Sequence, residues 1–330
     1  MNKKAIALLS GGLDSILAAK LMVELSVEVI CVSYFIEFAM CGGGPIAAVK
    51  AAEMLGIPLK VFDVTDEYLE IFKKPEHGYG ANINPCIDCK IFMLKKAKEY
   101  MPSVGASFLV TGEVLGQRPM SQRRDALNII EKNAGVRGIL LRPLSAKLLP
   151  PTLPEQEGII DRERLFDIRG RSRKPQFALA AKFGIKEYPN PSGGCLLTDP
   201  GFTKRVRDLI AHEGLTVDGL RLLKIGRHFR LGEATKLIIG RNDKENNELG
   251  GLIKKDDICF RMKDHEGPFS ILKGPSSEEM IKRSAGIVSQ HTKYRDEKAL
   301  NVLCWHQGSK DIQILTVKAS PIEEIEKIRI

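Results

Sequence analysis

The chain lacks most of the features that would take it out of the ordinary globular enzymes. No apolar run approaches the roughly 18 residues needed to span a bilayer, and Met1-Asn2-Lys3-Lys4 leads into a strand rather than a secretory leader. A cytoplasmic protein without a membrane partner is the expectation. Cysteine is scarce: seven among 330 residues, odd in number and unevenly placed, which argues against a disulfide framework and for thiols kept reduced. There is no internal repeat, coiled coil or low-complexity tail. The six histidines show no zinc-like spacing. The glycine turn near the start lacks both the Lys-Ser/Thr ending of a Walker A loop and the spacing G-x-G-x-x-G, which disfavours ordinary NTPases and dinucleotide enzymes.

That turn, Ser10-Gly11-Gly12-Leu13-Asp14-Ser15, follows the apolar run Ala5 to Leu9 and opens onto the helically spaced Ile16 to Leu25. Strand, glycine turn and helix make an anion site, because the glycines admit a ligand to the backbone and the helix start presents unpaired N–H groups. A polyphosphate suits it. The length allows two domains, each with its own core. A net charge of +9 suits a nucleic-acid partner as well as simple solubility.

Alternating apolar runs and helical segments in the first half predict an α/β fold with a doubly wound parallel sheet. Strands are expected at Val27 to Phe35, Leu59 to Val64, Phe108 to Val110 and Leu140 to Leu141; Gly42-Gly43-Gly44-Pro45 breaks the chain before a helix from Ala47 to Leu55. Ligands of such sheets lie beyond the carboxyl ends of the strands. Thr111-Gly112-Glu113-Val114-Leu115-Gly116-Gln117, after the fourth strand, should therefore line the same crevice as the glycine turn.

Cysteines mark a second chemistry. Asn84-Pro85-Cys86-Ile87-Asp88-Cys89-Lys90 should cap a helix from Ile91 to Tyr100, with two sulfurs within reach of one ion. Asn190-Pro191-Ser192-Gly193-Gly194-Cys195 puts a third sulfur on a glycine loop, whereas Cys31, Cys259 and Cys304 sit in apolar runs and Cys41 has no partner spacing. Metal, redox and persulfide chemistry all stay open. Three thiolates would leave one position vacant on zinc or one iron vacant on a cubic cluster. The run Arg162, Arg164, Arg169, Arg171, Arg173, Lys174 reads equally as a solvated face or as a track for phosphates.

The SGGLDS turn resembles the PP-loop of ATP pyrophosphatases, which grip the β and γ phosphates of ATP and release pyrophosphate. TGEVLGQ followed by Ser121-Gln122 is similar to the corresponding element of ThiI-type tRNA 4-thiouridine synthetases, and the Asn-Pro-Cys stretch to the first cysteine motif of MnmA-type tRNA 2-thiouridylases. Farther on, Ile239-Gly240-Arg241-Asn242 with Glu245, Asn246, Glu248 and Leu249 resembles the RNA-binding domain of NFACT proteins, although Phe260-Arg261-Met262 replaces the usual aromatic-His ending. The resemblance implies a PP-loop domain over residues 1–200 and a smaller α+β RNA-binding domain over 201–330. It implies ATP held by Ser10, Gly11, Gly12, Leu13, Asp14, Ser15, Thr111, Gly112 and Gln117, with Asp14 positioning Mg2+. By the same likeness Cys89 and Cys195 are catalytic, and Cys86, Cys89 and Cys195 hold a [4Fe-4S] cluster in preference to a persulfide on Cys195 resolved by Cys89.

The activity expected from the likeness is conversion of a tRNA uridine to 4-thiouridine, with 2-thiouridine as the alternative, using sulfide or a sulfur-donor protein. Two readings from other classes stand beside it: a PP-loop ligase that forms an amide, and an RNA-binding protein regulated by its nucleotide.

Overall fold

The computed structural model describes residues 1–39, 45–188 and 195–330, in two compact units, Met1–Asp199 and Pro200–Ile330. The expected Gly42-Gly43-Gly44 break, Cys41 and Asn190-Pro191-Ser192-Gly193-Gly194 lie outside the described residues.

In the first unit, β1 (Lys4–Leu8), β2 (Glu28–Phe35), β3 (Leu59–Asp63), β4 (Phe108–Val110) and β5 (Leu140–Leu141) form a parallel sheet in the order β3-β2-β1-β4-β5. Helices α1 (Leu13–Glu24), α2 (Ile46–Leu55), α3 (Thr65–Lys73), α4 (Cys86–Val104), α5 (Arg124–Ala134), the short α6 (Leu153–Gln156) and α7 (Lys174–Lys182) connect and cover it. This is the doubly wound α/β arrangement. The short apolar runs become strands because both faces of a helix-covered parallel sheet are buried: Ala5, Ile6, Val32, Leu109 and Leu141 are all inaccessible. β1 pairs with β2 on one side and β4 on the other, so the strand order reverses there and opens a crevice at the carboxyl end of β1.

One helix departs from expectation. α4 begins at Cys86, not after Cys89, with Pro85 as its N-cap. Proline fixes the backbone at the boundary and Asp88 favours the positive first turn, so Cys86 and Cys89 are one helical turn apart on α4 itself. The stretch from Arg142 to Pro154 is irregular apart from a single 3-10 turn and the start of α6.

The second unit is α+β. Strands β6 (Arg227–Arg230), β7 (Lys236–Ile239), β8 (Ile258–Met262), β9 (Ser270–Lys273), β10 (Leu300–His306) and β11 (Ile312–Val317) form an antiparallel sheet in the order β11-β10-β8-β9-β7-β6. It is accompanied by α8 (Pro200–His212), α9 (Val217–Leu222), α10 (Asp243–Gly250), α11 (Glu278–Gln290) and α12 (Ile322–Lys327). Phe229, Leu237, Phe260, Leu272 and Val302 form its core with Ala285 and Val288 of α11. No helix among the described residues is long and apolar enough to cross a membrane.

Candidate active site

The glycine turn stands at the crevice between β1 and α1. Gly11 has φ +79°, and a Cβ there would meet the Ala47 carbonyl carbon at 2.4 Å, so the turn is seated against the first turn of α2. Gly12 is the N-cap of α1, with no side chain capping the helix, which leaves its first N–H groups directed toward an anion. Ser15 Oγ donates to the Gly12 carbonyl at 2.7 Å and lies 3.3 Å from Ser10 Oγ, so the two hydroxyls fix the loop before any ligand arrives. Leu13 is buried beneath it.

Asp14 is the best-supported side chain of the loop. Gln117 Nε2 donates to its Oδ2 at 2.7 Å, and Arg173 Nη2 lies 3.2 Å from its Oδ1. Gln117 is held in turn by the buried Gln176, whose Nε2 donates to Gln117 Oε1 at 2.9 Å. This orients the carboxylate: one oxygen accepts from Gln117 and the other, Oδ1, faces the Arg173 guanidinium, so a divalent cation at this carboxylate would have to share it with that arginine. Sequence reasoning missed Gln176 and left Arg173 undecided. The arginine run in fact divides: Arg162 bonds Glu155 and the Ala146 and Leu149 carbonyls, Arg164 bonds the Glu24 carbonyl, and Arg173 alone of these three turns to the PP-loop.

Gly112 lies against α1. A Cβ on it would stand 2.4 Å from the carbonyl carbon of Asp14 and 2.5 Å from the Ser15 nitrogen, so this glycine lets β4 pack against the first turn of the helix. Thr111 is buried and its hydroxyl donates to Glu113 Oε2 at 3.2 Å. Glu113 receives Arg142 Nε at 2.9 Å and faces Lys90 Nζ at 3.9 Å. Burial raises this carboxyl, but Arg142 and Lys90 together outweigh it and hold it below the usual range.

The three cysteines singled out by sequence all lie near one phenol. Tyr68, 1% exposed on α3, hydrogen-bonds Cys89, and Cys195 and Cys86 also lie close enough to act on its hydroxyl. Burial, then Cys89, Cys195 and Cys86, raise the Tyr68 pKa far above that of an ordinary phenol. Burial also pushes the Cys89 thiol up to about 11. Cys195 is exposed, and Cys86 is half-buried with Asn84 Nδ2 donating to its sulfur at 3.1 Å. Cys31, Cys259 and Cys304 are buried.

The sulfurs are not drawn to the spacing of a single ion. Among the described residues, Glu76, His77 and Asp88 form the one trio whose ligand atoms all lie within 4.8 Å of one another. His77 Nδ1 sits 2.9 Å from Asp88 Oδ1, and Asp88 also accepts from the His77 backbone, so this trio serves to tie the approach segment to α4. A zinc ion on Cys86, Cys89 and Cys195 would require them to close in.

One loop joins the two chemistries. Gln117 reaches Asp14, Glu113 reaches Lys90 beside Cys89, and Met120 Sδ lies 3.5 Å from the Asn84 Nδ2 that holds Cys86. Asn82 Nδ2 donates to the Thr198 carbonyl at 2.7 Å, bringing the Cys195 segment to the same place.

Residues 1–147 match the family model described as thiamine biosynthesis protein (ThiI), and residues 226–329 match the NFACT protein RNA binding domain. The chain is 30% identical over 276 residues to a tRNA-specific 2-thiouridylase MnmA of Trichormus variabilis, covering 75% of this chain and 74% of that one. It is 28% identical to a tRNA-specific 2-thiouridylase MnmA of Rippkaea orientalis over 69% of this chain and 65% of the relative, slightly under two thirds of that protein's length. A probable tRNA sulfurtransferase of Thermoanaerobacter sp. is 34% identical over 43% of this chain and 37% of its own.

Proposed function

We propose, for a chain that belongs to the PP-loop ATP pyrophosphatases of the tRNA thiouridine synthetase type, that it uses ATP to replace a carbonyl oxygen of a tRNA uridine with sulfur. A uridine oxygen is too poor a leaving group to be displaced directly. It attacks the α-phosphate of ATP, the bond to the β-phosphate breaks, and pyrophosphate departs toward the N–H groups at Gly11 and Gly12 and the hydroxyls of Ser10 and Ser15. Asp14, held by Gln117 and Arg173, is the residue that would hold Mg2+, and such an ion would neutralise charge on the departing pyrophosphate. Hydrosulfide then adds to the activated carbon and gives up its proton, and the carbon–oxygen bond breaks so that AMP leaves with the former uridine oxygen.

The observation that carries this reading is the connection after β4, whose side chains touch both the Asp14 carboxylate and the residues beside Cys86 and Cys89. Cys86, Cys89 and Cys195 are the residues that would hold a cubic iron–sulfur cluster, and such a group would supply a binding position for inorganic sulfide. A persulfide on Cys195 is the second reading, favoured by the exposure of that residue, with the half-buried Cys89 on α4 as the thiol that would resolve it.

The TGEVLGQ element and the ThiI model over the catalytic half support 4-thiouridine as the product. The relatives that span most of the chain carry the name 2-thiouridylase and support the alternative. Mass spectrometry of tRNA nucleosides from cells with and without the protein tests the reaction: loss of 4-thiouridine supports the first product, loss of 2-thiouridine the second. No change in either sinks thiolation. Anaerobic purification tests the sulfur chemistry, since a brown protein absorbing near about 400 nm, bleached by replacing any one of the three cysteines, assigns the cluster.

A further inference from the structure

The second unit contains a cavity of about 350 Å3 whose lining includes Lys204, Arg205, Arg227, Arg241 and Arg329, with the Glu326 side chain and the main-chain carboxylate of Ile330 as the anionic groups on its wall. The fold gathers these cations from four separate elements. Lys204 lies on α8, Arg227 opens β6, Arg241 follows β7 and Arg329 follows α12. Gly226, with φ +76° and room for no Cβ (the Ile239 oxygen would be 2.5 Å away), sets the tight entry that presents Arg227. Two of the arginines are steadied: Glu245 pairs with Arg241, and Glu326 lies 2.9 Å from Arg329.

Arg227 is different. It is half-buried, and among the described residues no carboxylate pairs with it. Burial first, then the neighbouring Arg329 and Arg241, lower its pKa, with Glu245 a smaller opposing influence. Cations brought together without a full set of counter-charges repel one another in the empty protein, and an anion in their midst relieves that repulsion. The first turn of α8 contributes Gly201 to the rim, so the positive end of a 13-residue helix adds to the same field.

We infer that this cavity seats a phosphate of RNA, with Arg227 as its central ligand. RNA is the occupant the observations favour: Arg227, Arg241 and Arg329 all fall within or at the end of the residues 226–329 matched to an RNA binding domain, in a chain of net charge +9. The inference rests on the tRNA reading above for its choice of probe. Phosphate recognition by guanidinium groups in a concave site gives charge neutralisation plus directed hydrogen bonds, which a flat basic face lacks.

The test is fluorescence anisotropy of a labelled tRNA transcript titrated with the full-length protein between about 50 and 200 mM salt. Arg227→Gln is expected to weaken binding about fivefold to tenfold and to reduce the salt slope by about one, as loss of one phosphate contact does. Arg227→Lys should keep most of the affinity. Lys204→Gln, at another wall of the cavity, should weaken binding at least about twofold and serves if Arg227→Gln unfolds early. Lys282→Glu, an exposed change on α11 outside the cavity, is the control and should have less effect than either. The inference is overturned if Arg227→Gln and Lys204→Gln bind like the wild type, if Lys282→Glu costs as much as they do, or if the wild type binds no tRNA. Thiolation does not enter this readout, so a failed reaction and a failed binding site are told apart.

Discussion

Replacing Gly112 with alanine separates a glycine that the fold needs from one that the ligand needs. The new Cβ would stand 2.4 Å from the backbone of Asp14, where ordinary contact begins at 3.4 Å, so β4 and α1 must separate by about 1 Å. The obstructing atoms are backbone and have no rotamer to escape into. Overpacking of this kind costs about 2 to 3 kcal/mol, and displacing a phosphate-binding helix start by that distance slows the chemistry by roughly 100-fold. Gly12→Ala is the matched control, because its Cβ meets only Ser10 Oγ at 3.6 Å. It should keep stability within about 0.5 kcal/mol yet weaken ATP binding, since the added methyl intrudes on the face that receives the phosphate. Urea unfolding gives the first quantity, and tRNA-dependent pyrophosphate release against ATP concentration gives KM and kcat. A Gly112→Ala protein as stable and as active as the wild type would refute the packing argument, and a Gly12→Ala protein with unchanged KM would remove that glycine from the phosphate site.

Three other outcomes follow from the same geometry. Asp14→Asn should reduce pyrophosphate release by at least about 100-fold while changing stability little, and excess Mg2+ should not restore it. Glu113→Ala strands the buried Arg142, which keeps only Glu131, so chemical denaturation should show a loss of about 3 kcal/mol; a loss under about 1 kcal/mol would show that the pair contributes little. His291, whose pKa burial and then Arg227 and Arg329 lower to about 4, stays neutral in the folded second unit while the unfolded chain takes up a proton. Stability is therefore intact above about pH 6.5 and falls toward pH 4, by roughly 3 kcal/mol at full effect. His291→Gln should flatten that part of the pH–stability curve, and an unaltered slope would assign the acid sensitivity to other groups.

The fold was legible wherever burial imposed a pattern. Short runs such as Ala5 to Leu9, apolar throughout, and Val27 to Phe35, apolar but for Glu28 at its entrance and Ser33, had to be strands of a covered sheet, since they leave no continuous solvent face. The PP-loop was legible because its glycines and serines serve a local geometry. Its support was legible only in part: Gln117 stood out in the TGEVLGQ element, but not as the donor to Asp14, 103 residues away, and Gln176, 59 residues beyond Gln117, carries no local signal that sets it apart from other buried polar residues. Arg173 was concealed differently, inside a basic run whose members turn to unrelated partners. Tyr68 carries no local signal of a role, being buried core of α3; its nearness to the three cysteines depends on where α4 and the Cys195 segment come to rest. The start of α4 was misplaced because the cysteines looked like a loop motif, whereas Pro85 and Asp88 already supply the signals of a helix beginning.

The connection leaving β4 also bears on how variants of this protein are to be classified. Gln117 and Met120, three positions apart, serve opposite partners, one an acid and the other an amide that steadies a thiol. A substitution that shifts the backbone between them is expected to disturb both contacts at once. Turnover numbers alone will therefore sort such mutants poorly; paired measurements of phosphate-anhydride cleavage and of thiol alkylation will resolve each lesion into its two components.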